Sequence, residues 1–380
     1  MRPPQPREAH GAARHLPSLT GLRWVTALLI FGHHIMAVEY FTGTAATIWL
    51  TVFKPGSVGV TMFFVLSGFV LAWGHVPGQR PGAFWIRRVA RVYPLHLVGV
   101  GLALVAAATV LPEIASPGVA PVVANVFLVN GWVPDWWQSG NPVSWSLVVE
   151  AFFYFCFPLL IWLLARRSAR VIGAVVAVST VLVAVVPAIA AASPIPMSAA
   201  STPLLRLPEF VIGMGIALLL KNSTWRPPHL SLSVALSVVG YAAFIAPSVP
   251  GTEIYPALAF TVLAFALLIA SLAERDMQGR PTFLARRTWQ ELGTASFAFY
   301  VVHLLVIGVV ASPWPGGHPH LHWPLAIALM TVAFAISLGL AWLLHRTVEV
   351  PLQRRIVRAF SKPAPAPRTV PTESRELVGS

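Results

Sequence analysis

Ten runs of apolar residues, each about as long as a bilayer is thick, dominate this sequence. A hydrocarbon core of about 30 Å takes roughly 20 helical residues to cross, and within it the backbone must satisfy its own hydrogen bonds. The runs lie near 19–38, 58–74, 92–112, 144–164, 171–192, 203–220, 230–247, 254–272, 291–312 and 324–345. They predict an all-α, polytopic membrane helix bundle of about ten transmembrane helices. A shorter, interrupted stretch at 119–133 reads as an interfacial or re-entrant piece. Composition points the same way: 56% of the 380 residues are apolar and only 10% are charged, against roughly 25% charged in a soluble domain.

The net charge of +13 would raise the question of nucleic acid in a soluble protein. Here the bases sit in short clusters between the runs. With the N-terminus in the cytoplasm, the inner segments hold Arg2, Arg7 and Arg14, then Arg80, Arg87, Arg88 and Arg91, then Arg166, Arg167 and Arg170. Lys221 and Arg226, then Arg275, Arg280, Arg286 and Arg287, and finally Arg346, Arg354, Arg355 and Arg358 continue the pattern. The outer loops hold one base, Lys54, beside Glu39, Glu113, Asp135 and Glu253. By the positive-inside rule both termini are cytoplasmic, and the expected partners are membrane lipids and no nucleic acid. The chain divides into a cytoplasmic N-terminal segment (1–15), a membrane domain (16–358) and a Pro-rich, disordered cytoplasmic tail (359–380). No small-residue cleavage site follows a clean apolar core, so no removable signal peptide is expected. The single cysteine, Cys156, excludes an intramolecular disulfide and any Cys-based metal cluster.

Ionisable side chains inside a bilayer are costly and tend to mark function. The first run carries Arg23 and the adjacent His33 and His34. Ten residues separate Arg23 from His34, which sets them roughly 16 Å apart along a helix, too far to pair. Neighbouring imidazoles point about 100° apart, so His33 and His34 cannot face one cavity together; His34 is favoured as the functional ring. The fourth run carries Glu150 one and a half turns below the outer surface. The sixth carries Arg206 and Glu209 at i and i+3, which read first as a neutralising pair. The ninth carries Tyr300 and His303, again at i and i+3. Arg87, Arg88 and Arg91 follow the second run in RPGAFWIRRVARVYP. Arg88 and Arg91 share a face if this segment is helical, and paired guanidinium forks suit phosphate; anchoring beside anionic headgroups is the simpler use. His318, His320 and His322 alternate in a loop with no carboxylate of its own, and no metal is expected there.

Taken in order, these pieces resemble the acyltransferase-3 family of membrane enzymes. The matching segments are LTGLRWVTALLIFGHH with its Arg23–His34 spacing, FFVLSGF at 63–69, RRVARVYP at 87–94, WSLVVEAFFY at 145–154, FAFYVVH at 297–303 and VEVPLQRR at 348–355. The likeness runs from residue 16 to about 357. It implies an acyl-CoA co-substrate entering from the cytoplasm, no tightly bound cofactor, and a hydroxyl acceptor that is sugar-bearing or lipid-linked: an envelope glycan, a glycolipid or a glycosylated natural product such as a macrolide. His34 is then the catalytic base and Glu150 a second essential group, holding the imidazole or positioning the acceptor from the far wall. Arg88 and Arg91 bind the donor phosphates, with Arg23 supporting the cavity mouth. Trp145, Ser146, Ser67, Tyr300, His303, Arg206 and Glu209 are the further site candidates. Ser67 and Ser146 also invite an acyl-serine intermediate, but neither sits in the G-x-S-x-G elbow that exposes a serine nucleophile. The soluble C-terminal hydrolase-like domain of some members is not expected here. Arginine outnumbers lysine 23 to 3, an association with GC-rich bacterial genomes. The expected location is a bacterial cell membrane. The rival reading is a proton-coupled transporter or flippase relaying protons through His34, Glu150 and His303, although no internal repeat or pair of broken helices supports it.

Overall fold

The computed structural model describes residues 15–194, 196–243 and 255–360. They form α1 (Pro17–Ala37), α2 (Gly43–Phe53), α3 (Val58–Trp73), α4 (Pro81–Thr109), α5 (Val119–Val126), α6 (Trp145–Leu164) and α7 (Ala169–Ala192). Then follow α8 (Pro203–Asn222), α9 (Leu230–Ala243), α10 (Tyr255–Met277), α11 (Arg287–Ala311), α12 (Trp323–Leu344) and α13 (Val350–Phe360). Eight described helical segments are long and apolar enough to cross a membrane, and the protein is a multi-pass all-α bundle. The expected N-terminal segment lies almost wholly outside the described residues, as do Glu253 and the tail from Ser361.

Three segments differ from the sequence expectation. The stretch after α1 was expected as an outer loop, yet residues 43–53 form α2, which runs through a tight turn at Lys54–Ser57 into α3. Eleven residues cannot span a bilayer alone; α2 is held instead by Trp49, whose Nε1 donates to the Gly32 carbonyl at 3.0 Å and whose ring stacks on Phe41 and Phe53. The basic segment after α3 is not a loop either. Pro81 opens α4 at a position where its missing N–H costs nothing, and Arg87, Arg88 and Arg91 fall in the first three turns. The weak stretch at 119–133 becomes the short α5 and the turns after it. These are stitched by Asn125, whose Nδ2 donates to Asn130 and to Ser144 at 3.1 and 2.6 Å.

Lipid-embedded helices gain no hydrophobic driving force from one another, so close approach through small residues takes its place. One tight crossing joins α3 and α8. Gly68 lies against the Phe210 carbonyl and Gly213 against the Val65 carbonyl, so near that an added Cβ would stand 2.1 and 2.0 Å from those oxygens. A second crossing joins α1 to α11, where Phe299 packs against Trp24 and Phe31 with centroids at 5.0 and 5.7 Å. This crossing brings the later turns of α1 beside the middle of α11. After α12 a single π-turn, His345–Glu349, leads into α13, which packs along α4.

The starts of α1, α4 and α11 share one end of the bundle with the ends of α3, α8 and α10: Ser18 Oγ donates to Asp276 at 2.6 Å, and Lys221 Nζ donates to the Trp73 carbonyl at 3.0 Å. The opposite end carries the loops around residues 38–42 and 312–322. Glu39 and His320, both in the left-handed region at φ 57° and 45°, join these loops. The His320 N–H donates to the Glu39 carbonyl at 3.1 Å, and its Nε2 lies 3.2 Å from Glu39 Oε2. The histidine-rich loop has no carboxylate of its own, but the turn after α1 supplies one in Glu39.

Candidate functional site

An open space of about 830 Å³ begins among three arginines and runs into the bundle. Arg88 and Arg91 reach it from the first turns of α4, and Arg23 from the second turn of α1. Ser67 of α3 and Glu150 and Tyr154 of α6 line its middle; Ser146 and Tyr300 line its deeper part. The Glu150 carboxylate accepts hydrogen bonds from Ser67 Oγ at 3.2 Å and from the Tyr154 hydroxyl. Ser146 Oγ and the Tyr300 hydroxyl stand 2.8 Å apart, and Tyr300 also donates to the Val143 carbonyl at 3.0 Å. The Arg88 guanidinium sits 5.9 and 6.0 Å from the ring centres of Phe84 and Tyr154, and its buried Nε has no hydrogen-bond partner among the described residues.

Three guanidinium groups against one carboxylate leave this space with a strong positive bias. A cleft of one charge sign with low-dielectric walls concentrates an anion of the other sign, and an unsatisfied buried Nε–H adds a donor for it. The site therefore suits an anion such as a phosphate group, with the hydroxyls of Ser146 and Tyr300 lining the same space.

One turn past Tyr300 along α11 is His303, fully buried. Its Nε2 lies 2.7 Å from Nδ1 of His34 on α1. On its other side, His303 Nδ1 is 2.8 Å from the Tyr300 carbonyl and 3.2 Å from that of Phe299. His33 turns away from this pair, its Nδ1 3.1 Å from the Lys54 carbonyl, as the 100° rotation between neighbours requires. His34 is not among the residues lining the arginine cavity. Beyond the pair, toward the opposite end, opens a second space of about 1170 Å³ with Glu113, Asp135, Trp137, Gln138 and Ser139 on its walls. Val38, one turn after His34, and Leu304, next after His303, border it. Along both helices the two imidazoles thus lie between the two spaces.

Of the residues singled out in the sequence, Arg23, Arg88, Arg91, Ser67, Glu150, Ser146 and Tyr300 come together in one cavity, and His34 meets His303. Glu150 does not hold the His34 imidazole: its partners are Ser67 and Tyr154, and His34 Nδ1 is taken by His303. Trp145 faces Trp137, with ring centres at 5.9 Å, outside the arginine cavity. Arg206 and Glu209 also stand outside it. Arg206 Nη2 lies 3.1 Å from Glu209 Oε2, donates to Thr61 Oγ1 at 2.9 Å, and its guanidinium rests 5.2 Å from the Phe64 ring centre. Tyr154 and Thr61 escaped the sequence reading, though the four-residue step from Glu150 to Tyr154 on one helix was a usable signal.

The Arg206–Glu209 pair yields a stability prediction. Removing one partner of a buried ion pair strands a charge at a cost of about 3–5 kcal/mol, whereas replacing both with apolar groups is often neutral. Arg206→Leu is expected to lower the thermal midpoint of the detergent-solubilised protein sharply, and Arg206→Leu with Glu209→Leu to recover most of it. Equal losses in the single and double variants would show that the pair is not the source of the effect.

Comparison with known proteins places the chain. A family model described as an acyltransferase domain matches residues 16–346. Acyltransferase MdmB of Streptomyces mycarofaciens is 35% identical over 391 residues, covering 95% of this chain and 98% of that protein. O-acetyltransferase OatA of Staphylococcus aureus is 25% identical over 92% of this chain, which spans 59% of that relative's length. No solved structure matches the chain. The chain belongs to this acyltransferase family and is an enzyme that transfers acyl groups other than aminoacyl groups, which sets the transport reading aside.

Proposed function

We propose that this family member is a cell-membrane O-acyltransferase that moves an acyl group, most simply acetyl, from acyl-CoA to a hydroxyl of a sugar-bearing acceptor. The observation that carries the donor is the convergence of Arg23, Arg88 and Arg91 on one cavity with a single carboxylate. The nucleotide phosphates lie against the guanidinium forks at the cytoplasmic mouth, and the uncharged pantetheine arm extends toward Ser146 and Tyr300. The acceptor occupies the opposite space, where Trp137 offers a flat face to a sugar ring and Asp135, Gln138 and Ser139 offer hydrogen-bond partners.

At the boundary between the two spaces His34 takes the hydroxyl proton as the acceptor oxygen attacks the thioester carbonyl. The C–S bond breaks, the ester forms, and the CoA thiolate recovers the proton from the imidazolium. Glu150, fixed by Ser67 and Tyr154 in the donor cavity, balances part of the arginine charge and sets the arm's path. Direct transfer is the simpler route, because neither Ser67 nor Ser146 sits in the strand-to-helix elbow that exposes a serine nucleophile; their hydrogen bonds to Glu150 and Tyr300 place them in the wall of the donor space.

The test uses inverted vesicles containing the full chain, acetyl-CoA labelled in its acetyl group and a host extract, following CoA release and the label by mass spectrometry. Label on a sugar-bearing ester supports the reading; its absence from every product, with longer acyl-CoAs also tried, overturns it. A charge-assisted hydrogen bond contributes about 1.5–3 kcal/mol. Arg88→Ala with Arg91→Ala is therefore expected to raise the KM for acyl-CoA on the order of 100-fold or more. Calorimetric titration of CoA into the purified protein should weaken in parallel. Unchanged CoA binding would remove the phosphate assignment.

A further inference from the structure

The two rings at the α1–α11 crossing do more than touch. Their hydrogen bonds determine which nitrogen of His34 is free. A backbone carbonyl accepts and cannot donate, so His303 Nδ1, at 2.8 Å from the Tyr300 carbonyl, must carry its proton. In a neutral ring the other nitrogen is then a bare lone pair. That nitrogen, Nε2, lies 2.7 Å from His34 Nδ1. One of the two must donate, and only His34 can. The proton of His34 therefore sits on Nδ1, and its Nε2 is left as the acceptor.

We infer that His303 is a positioning residue: it fixes His34 in the tautomer whose Nε2 can accept the proton of the acceptor hydroxyl. The inference deepens the base role given to His34 and rests on it. Its physical advantage lies in where the site stands. The familiar partner of a catalytic imidazole is a carboxylate, but an ionised carboxylate buried among apolar rings needs a counter-charge or extra hydrogen bonds. A second imidazole does the same orienting work while remaining neutral. His303 is held to do so by its helix carbonyls below and by Phe299, whose ring lies within 5° of parallel to its own at 5.6 Å. When His34 takes the hydroxyl proton on Nε2, the imidazolium keeps its Nδ1–H bond to His303 Nε2. That lone pair stabilises the cation until the CoA thiolate removes the proton, after which both rings are as they began.

Two substitutions separate orientation from packing. Gln at 303 can offer an amide oxygen where Nε2 stands; Leu offers no acceptor at all. ¹⁵N NMR of the full chain in lipid nanodiscs, with labelled histidine and the His34 signals assigned by difference against His34→Gln, reads the tautomer without turnover. The expected result is an Nδ1–H tautomer for His34 in the wild type and in His303→Gln, lost in His303→Leu. In the labelled acetyl-CoA vesicle assay, His303→Leu should lower kcat about 100-fold, the lower range for a general base, with the KM for acetyl-CoA unchanged. His303→Gln should recover to within about tenfold of wild type, since an acceptor for the Nδ1–H is restored. Because residues acting as one unit are not additive, His34→Ala with His303→Leu should be no slower than His34→Ala alone.

An Nε2–H tautomer in the wild type would overturn the inference outright. So would full kcat in His303→Leu while His34→Ala is inactive, an outcome that leaves the base reading standing. Loss of folded protein in His303→Leu with normal kcat per folded molecule also counts against it, since packing is then the whole effect. Full turnover of His34→Ala would instead remove the base reading, and the role of His303 with it.

Discussion

His34→Ala is expected to lower kcat for acyl transfer by roughly 100- to 10,000-fold, the range a positioned proton acceptor contributes, while CoA binding stays as it is. The split follows from geometry. Arg23, Arg88 and Arg91 hold the donor from within the cavity, and His34 is not among the residues lining it. The bundle should survive the substitution, because α1 is fixed along its length by buried Leu19, Leu22, Ile30 and Ile35. What alanine leaves behind is the bare Nε2 of His303, an acceptor without a donor, which a small molecule of water entering the new gap can satisfy. The measurement is CoA release from labelled acetyl-CoA in inverted vesicles, paired with calorimetric titration of CoA. Turnover within a factor of a few of wild type would exclude His34 as the base.

Gly213→Ala is expected to be among the most damaging single methyl additions in the chain. The new Cβ would lie 2.0 Å from the Val65 carbonyl oxygen, well inside contact distance, and the obstacle is backbone rather than a movable side chain. Gly68→Ala meets the Phe210 carbonyl in the same way from the other helix. Overpacking that forces backbone to shift costs about 1–3 kcal/mol and sometimes more; here α3 and α8 would have to part along their tightest contact. Ser67 neighbours Gly68, so separation also pulls apart the donor cavity. The control is Gly173→Ala in α7, where nothing lies within 4 Å of the added carbon. There the better helix propensity of alanine should leave stability unchanged or raise it by up to about 1 kcal/mol. Thermal unfolding of the three variants in detergent decides the matter: similar midpoints for Gly213→Ala and Gly173→Ala would refute the crossing as described.

The helix positions were legible because the bilayer imposes one length on every span. Apolar runs near 20 residues mark α3, α8 and α11 within a few residues. α2 was not legible by that rule, since its 11 residues are too few to span and the surrounding Gly, Thr and Pro read as loop. The arginine site was half-visible: Arg88 and Arg91 share a helix face by spacing alone, but that Arg23 joins them from α1 is a matter of packing. The partner of His34 could not be read at all. It lies 269 positions away, and Glu150 looked the stronger candidate because a carboxylate is the commoner orienting group. Glu150 is instead used up locally, by Tyr154 four residues on and by Ser67. Periodicity reports which face a side chain occupies; it is silent on which other helix that face meets.

The functional unit does not stop where its last apolar span stops, at Leu344. Past the π-turn at His345–Glu349, where His345 Nδ1 bonds Glu349 at 2.8 Å, α13 lies along α4 like a splint on a limb. α4 is the limb that matters, because Arg88 and Arg91 stand on it. A chain cut after Leu344 would retain every side chain of both spaces and lose the helix that packs along the one bearing Arg88 and Arg91. The seam for fusing this unit to another sequence therefore falls after Phe360.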